Sequence, residues 1–228
     1  HNLHYAEMPY PDPSIYGEGT DWVQALSQVA FYQNYHLSLN GNVGKTSYNV
    51  AVGYNDTPSV VLGSGMKKLT ANMSLNSKIS KKFTFNLNAT YANTRRDRAN
   101  CAITGVNTSA AIYLSPLLKL DDVWNRFGSG DDYGGLPFDS PYLKALYLTN
   151  KSTNNFFLVS PSLKYDINAH LYAQARFSGR GLFSETGYYS PSYMAVAKAN
   201  DTGGTAKRSN AKDLSFLEEI KLKSSTEI

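Results

Sequence analysis

From Gln33 to Tyr91 the chain alternates polar and apolar residues almost without a break, in four segments. Side chains of an extended strand leave its two faces in turn, so this pattern demands a sheet whose faces meet different surroundings. The spacing predicts strands over Phe31 to Gly41, Thr46 to Asn55, Lys67 to Lys78 and Phe83 to Thr94. One face collects Tyr35, Leu37, Leu39, Val50, Val52, Met73 and Leu87, and the other Asn34, Ser38, Asn49, Asn72, Ser74 and Asn88. Tight turns at Val43–Lys45 and Ser80–Lys82 flank a longer link, Thr57–Met66.

Alternation resumes downstream over Asn155 to Tyr165, where Pro161 is an irregularity, then Ala169 to Ser178 and Lys212 to Lys223. That makes seven strands, with long loops predicted over 95–153 and 179–211 and a tight turn at Asp166–Asn168. Residues 1–30 read as an irregular loop segment, with Thr20 as the N-cap of a short helical turn at Trp22. A further short helix is expected near Thr108 to Leu118. The whole is read as all-β and antiparallel, with residues 31–228 forming one curved sheet.

Which surroundings the faces meet follows from their residue types. The segments are about nine to eleven residues long, the length a tilted strand needs to cross hydrocarbon. The polar face is small and neutral; only 18% of the chain is charged, and aromatic residues cluster near strand ends. Tyr48, Phe83 and Tyr165 stand beside the tight turns, and Tyr35, Tyr54 and Tyr91 toward the long loops, as in the aromatic girdles of a membrane barrel. Short turns would face the periplasm and long loops the exterior. A secreted or surface glycan-binding β-sandwich is the alternative, and it requires the Leu37/Leu39/Val50/Val52 face to be buried against a second sheet. No apolar run is long enough for a spanning helix.

Motifs for chemistry are sparse. Gly44-Lys45-Thr46 lacks the glycine a phosphate loop needs five residues earlier, where Leu39 stands, and Thr46 enters a strand. Asp121, Asp122, Asp131 and Asp132 flank Gly128-Ser129-Gly130 and are weak candidates for a hard cation; no cofactor is expected. Trp124, Phe127, Tyr133 and Phe138 lie in the same loop and are candidates for stacking on a substrate or packing on a partner. His36 and His170 fall on the polar face in this register. Arg95, Arg96 and Arg98 gather at a strand end, as at an interface or solvated rim, and the lone Cys101 has no activating neighbour. Nothing suggests an enzyme, and a net charge of +4 without a basic run does not suggest nucleic acid.

The wording Thr20-Asp21-Trp22, then Gln33 through Gly41, resembles the barrel entry of SusC/RagA-type TonB-dependent transporters. Lys45 through Asp56, Leu75 through Ile79, Phe83 through Asn88, Ser115-Pro116-Leu117, Ser140 through Leu143 and Leu163 through Ile167 follow in that family's order. The resemblance implies an outer-membrane barrel of about twenty-two strands with a plugged lumen. It also implies import of oligosaccharide or peptide, with TonB and a SusD-like surface lipoprotein as partners and outer-membrane lipid around the wall. These strands would be the second to eighth, and residues 1–30 part of the first outer loop. TonB box, plug and the rest of the barrel have no counterpart here, so the chain is expected to be a piece of something longer.

Overall fold

The computed structural model describes residues 17–99, 116, 120, 123–124, 138–194 and 203–224. Its main body is one antiparallel sheet. The strands are β1 (Gln33–Val43), β2 (Thr46–Pro58), β3 (Gly65–Lys78) and β4 (Phe83–Asp97), then, after an excursion, β7 (Thr149–Asp166), β8 (Leu171–Ser190) and β9 (Thr205–Ser224). They pair in chain order, β1-β2-β3-β4-β7-β8-β9. The excursion holds the two-stranded β5 (Val123–Trp124) and β6 (Phe138–Asp139) and the helix α2 (Pro141–Tyr147); α1 (Trp22–Ala25) precedes the sheet.

Local chemistry accounts for the turns. β1 and β2 are joined by Gly44-Lys45 alone, and Gly44 adopts φ +58°, the left-handed backbone that two-residue hairpins need. At the β3–β4 turn the Ser80 hydroxyl accepts from the Phe83 N–H at 3.1 Å. The cap of α1 is Asp21, not Thr20: its carboxylate accepts from the Gln24 N–H at 2.9 Å, three residues into the turn. Ser140 caps α2 in the same way, with Pro141 at the first helical position.

The strands outrun the alternation. β7 starts at Thr149 rather than Asn155, β8 runs on to Ser190 rather than ending at Ser178, and β9 starts at Thr205 rather than Lys212. Residues 179–190 and 205–211 of one predicted loop, and 95–97 and 149–153 of the other, are therefore strand. Glycines hide part of β8. A Cβ on Gly181 would stand 2.3 Å from the Phe157 ring, so that ring lies in the space a side chain would fill.

Pro161 stays within β7 although it has no N–H. The β7–β8 register runs to Val159↔Gly179 and resumes unshifted at Ser162↔Arg176. Across the gap the hydroxyls of Ser160 and Ser178 hydrogen-bond to each other. A side-chain link thus replaces the ladder where the backbone cannot supply it.

Buried apolar side chains are few among the described residues: Trp22, Leu26, Ala145 and Met194. Leu26 and Ala145 cluster with Val61, Leu62, Ala99 and Tyr142 at the long-loop end of the sheet. Along the strands, by contrast, Leu37 and Ile220 are each 76% exposed. The glycan-binding sandwich is therefore not what these residues form, because no second sheet among them covers this face. No helix among them is long and apolar enough to cross a membrane, which says nothing of strands that cross one.

Candidate functional site

Register converts the strand pattern into two continuous surfaces. Leu39 pairs with Val50, Val50 with Met73, Met73 with Ala89 and Ala89 with Val159. Val159 pairs with Gly179 and Gly179 with Phe216. This rung of one face is thus apolar from edge to edge, although Glu218 stands on the same face opposite Phe177, nearer the tight turns. The other carries hydrogen-bonded polar rungs: Thr90 donates to Asn72 at 3.1 Å, Ser74 donates to Asn88 at 2.9 Å, and Asn76 donates to Asn86.

Aromatic rings bound the apolar face at both ends. Toward the tight turns Phe83 and Tyr165 are paired, their centroids 4.6 Å apart. Tyr48 lies over Gly41 on the same face. Toward the loops Tyr35 pairs with Tyr54 and Tyr91 with Phe157, and Phe157 stacks on Phe183 at 5.7 Å. Phe183 falls in a segment the alternation assigned to a loop.

Beyond the loop-side aromatics the apolar face ends in a charged rim. Lys67 meets Asp56 at 3.2 Å, Lys151 meets Asp97 at 3.7 Å and Arg208 meets Glu185 at 2.7 Å. The hydrogen bond from Lys67 to Asp56, aided by the Asp56 charge, holds the Lys67 ammonium above its ordinary range. Such a sequence of apolar band, aromatic row and charged rim reproduces the layers of a membrane and its interface.

At the same end a cleft of about 780 Å³ opens between the β2–β3 link, the ends of β4 and β7, and the end of α2. Arg95, Arg96 and Arg98 all line it. Arg96 pairs across the ladder with Ser152, whose hydroxyl is buried without a hydrogen-bond partner. Alternation located the arginines but not the cleft, since α2 and Ser152 were both read as loop.

The other sequence candidates are placed as follows. Trp124 and Phe138 pair opposite each other in the β5–β6 ladder. Phe127, Tyr133, Asp121, Asp122, Asp131, Asp132, Cys101 and the helix expected near Thr108 to Leu118 lie outside the described residues, save Pro116. No group of three or more His, Cys, Asp or Glu gathers as a metal site among the described residues. His36 lies on the polar face opposite Gly53. His170 does not: β8 begins after it, and its N–H donates to the Asn168 side chain within the turn.

No protein-family model matches the chain. Among curated proteins, the TonB-dependent receptor SusC of Bacteroides thetaiotaomicron is 30% identical over 98 residues, 42% of this chain and 10% of that protein. The paired box pox-neuro protein of Drosophila melanogaster is 37% identical over 113 residues, 48% of this chain and 25% of that protein. Fold distinguishes these two matches. The RagAB peptide importer in its closed-closed state superposes with a TM-score of 0.74 at 18% identity, covering 93% of this chain and 24% of that one. The chain is thus similar to SusC in sequence over part of its length and to RagAB in fold. A second RagAB structure, of the peptide transporter, gives 0.74 at 17% identity over 90% of this chain. The chain spans about a tenth of its curated relative and about a quarter of the solved chains.

Proposed function

We propose that this chain forms wall and outer vestibule of a SusC/RagA-like TonB-dependent importer in a bacterial outer membrane, taking up oligosaccharide or peptide. The observation that carries the reading is the apolar face that crosses all seven strands between two aromatic rows, with a polar reverse. Burying a Leu- or Phe-sized side chain is worth about 1.5–3 kcal/mol relative to leaving it in water. A face of this extent is stable only against lipid or protein. Backbone groups in hydrocarbon must all be paired, so the free edges of β1 and β9 call for further strands that close a barrel. In that setting the tight turns face the periplasm, and the long loops, with residues 1–30, face outside. TonB would energise the whole protein, and a SusD-like lipoprotein would sit at its mouth. The role of this portion is passage, not catalysis.

Site-directed labelling of the full-length protein tests the proposal. With Cys101 replaced by serine, single cysteines at Leu39, Val52 and Met73 are expected to resist a water-soluble maleimide in native outer membranes. A cysteine at Asn72 is expected to react. Equal reactivity on both faces, or recovery of the protein in the soluble fraction, rules the importer reading out.

A further inference from the structure

The two faces differ in charge as well as in polarity. On the apolar face each rim carboxylate, Asp56, Asp97 and Glu185, is matched by a cation, and Glu218 stands below the rim. On the polar face three carboxylates occur among the described strands, and two are already held: Asp166 by Lys164 at 2.8 Å and Glu219 by Lys221 at 2.5 Å. Asp213, opposite Leu182, is the third. Lys68, Arg96, Arg180 and Lys207 have no ion pair on this face among the described residues.

These cations descend from the mouth in steps. Lys207 pairs with Tyr188 near the outer end. Arg96 is opposite Ser152, Lys68 opposite Thr94, and Arg180 opposite Leu158, which pairs with Thr90. From Arg96 to the level of Thr90 is six residues of β4, about 20 Å along the strand. Arg180 also lies over the Phe156 ring on the same face, 5.9 Å from its centroid. At the top of the series stand the cleft and the unpartnered Ser152 hydroxyl, a buried donor able to serve an acceptor oxygen. Asp213, level with Ala92, lies between the Lys68 and Arg180 steps, but cations outnumber carboxylates on this face, and such an excess of one sign attracts the opposite sign along its length.

We infer that the polar face is a track for an anionic chain, an oligomer bearing carboxylates or sulfates, which enters at the Arg96–Ser152 cleft and steps down to Arg180. This rests on the importer reading, in which the polar face lines the lumen. It narrows the substrate class by charge, and it leaves open whether the acidic groups belong to a glycan or a peptide.

The experiment uses the full-length transporter in nanodiscs and two matched pairs of probes. One pair is an oligogalacturonate and its methyl ester; the other is a Glu-containing peptide and its Gln counterpart. In at least one pair the acidic member is expected to bind roughly tenfold tighter at low ionic strength. That preference is expected to collapse at about 0.5 M salt, where screening acts over roughly 4 Å. Arg96→Gln with Arg180→Gln is expected to erase most of it, the acidic member losing far more affinity than its neutral counterpart. If the double variant does not assemble, Lys68→Gln, at an exposed position, is expected to reduce the preference in the same direction. Which pair shows the effect identifies the source of the acid groups. Equal affinity within both pairs, no binding of either acidic probe, or a preference untouched by the substitutions overturns the inference. The labelling experiment is independent: a protein that labels as a barrel yet ignores charge keeps the importer reading and loses this one.

Discussion

The lower and upper parts of β7, β8 and β9 are continuous strands in one ladder, yet only the lower part looks like strand in the sequence. Between the two aromatic rows, Phe157, Val159, Leu163 and Tyr165 alternate with Leu158, Ser160, Ser162 and Lys164. Above the upper row both faces of β9 carry exposed small or polar residues, Ala206, Arg208 and Asn210 on one and Lys207, Ser209 and Ala211 on the other. The hydrogen-bonded register continues unchanged to Ser190↔Thr205. Alternation therefore reports a contrast between two media, and where the contrast ends the pattern ends although the strand does not.

The sharpest way to break this comparison is to put charge on each face at one depth. Met73→Arg is expected to destabilise the full-length barrel by about 2–4 kcal/mol, the cost of a cation against mid-bilayer lipid. Asn72→Arg, its neighbour on the polar face, is expected to cost far less. Urea unfolding in phospholipid vesicles, followed by gel mobility of unboiled samples, measures both. Equal losses would mean that the faces do not meet different media.

A second test compares glycines of β8 in the two regions. At Gly181 an added methyl meets the Phe157 ring, whereas at Gly187 it meets nothing within 4 Å. Gly181→Ala is expected to cost about 1–3 kcal/mol and Gly187→Ala no more than about 0.5 kcal/mol. Adding Phe157→Leu to Gly181→Ala should recover part of the loss; additive losses would exclude the ring contact as the cause. Third, replacing residues 187–208 by an Asn-Gly turn is expected to leave membrane assembly intact, since no membrane-level rung is removed. Failure to assemble would show that the upper ladder nucleates the lower one.

The smallest effect lies at the rim, between the two regions. Because Asp56 raises the Lys67 pKa above its ordinary 10.5, their contact stabilises fully below that value and is lost as pH rises through the folded one. The stability difference between the natural protein and Asp56→Asn is expected to be small and salt-sensitive, and to vanish in alkaline solution. Denaturant titrations from about pH 9 to about pH 12 follow it across the lysine range. A difference that grows with pH would contradict the assignment.

Legibility follows the same physics. Strand number, order and face were readable wherever apolar residues stood against polar ones, as at Leu37/Ser38 or Val50/Asn49. Hidden from that reading were features set by contacts remote in sequence. Gly181 reads as a loop residue until Phe157 is placed over it, and Ser160 is an ordinary polar residue until Ser178 spans the proline gap with it. The cleft needs α2, whose Ser140-Pro141 cap was a usable local signal, brought beside arginines more than forty residues away. Trp124 and Phe138 were singled out for their rings, but only pairing in space sets them opposite each other.

Connection lengths carry a last consequence, for the order in which the wall is made. Gly44-Lys45 closes β1–β2 at once, and the turns after β3 and β7 are nearly as short. β4 and β7, though neighbours, must find each other across 98–148. For flexible links, closing the longer loop costs roughly 3 kcal/mol more chain entropy than a two-residue turn. Nascent wall should therefore appear first as separate ribbons, β1 to β4 and β7 to β8, and the seam between them is the step a folding catalyst would have to serve.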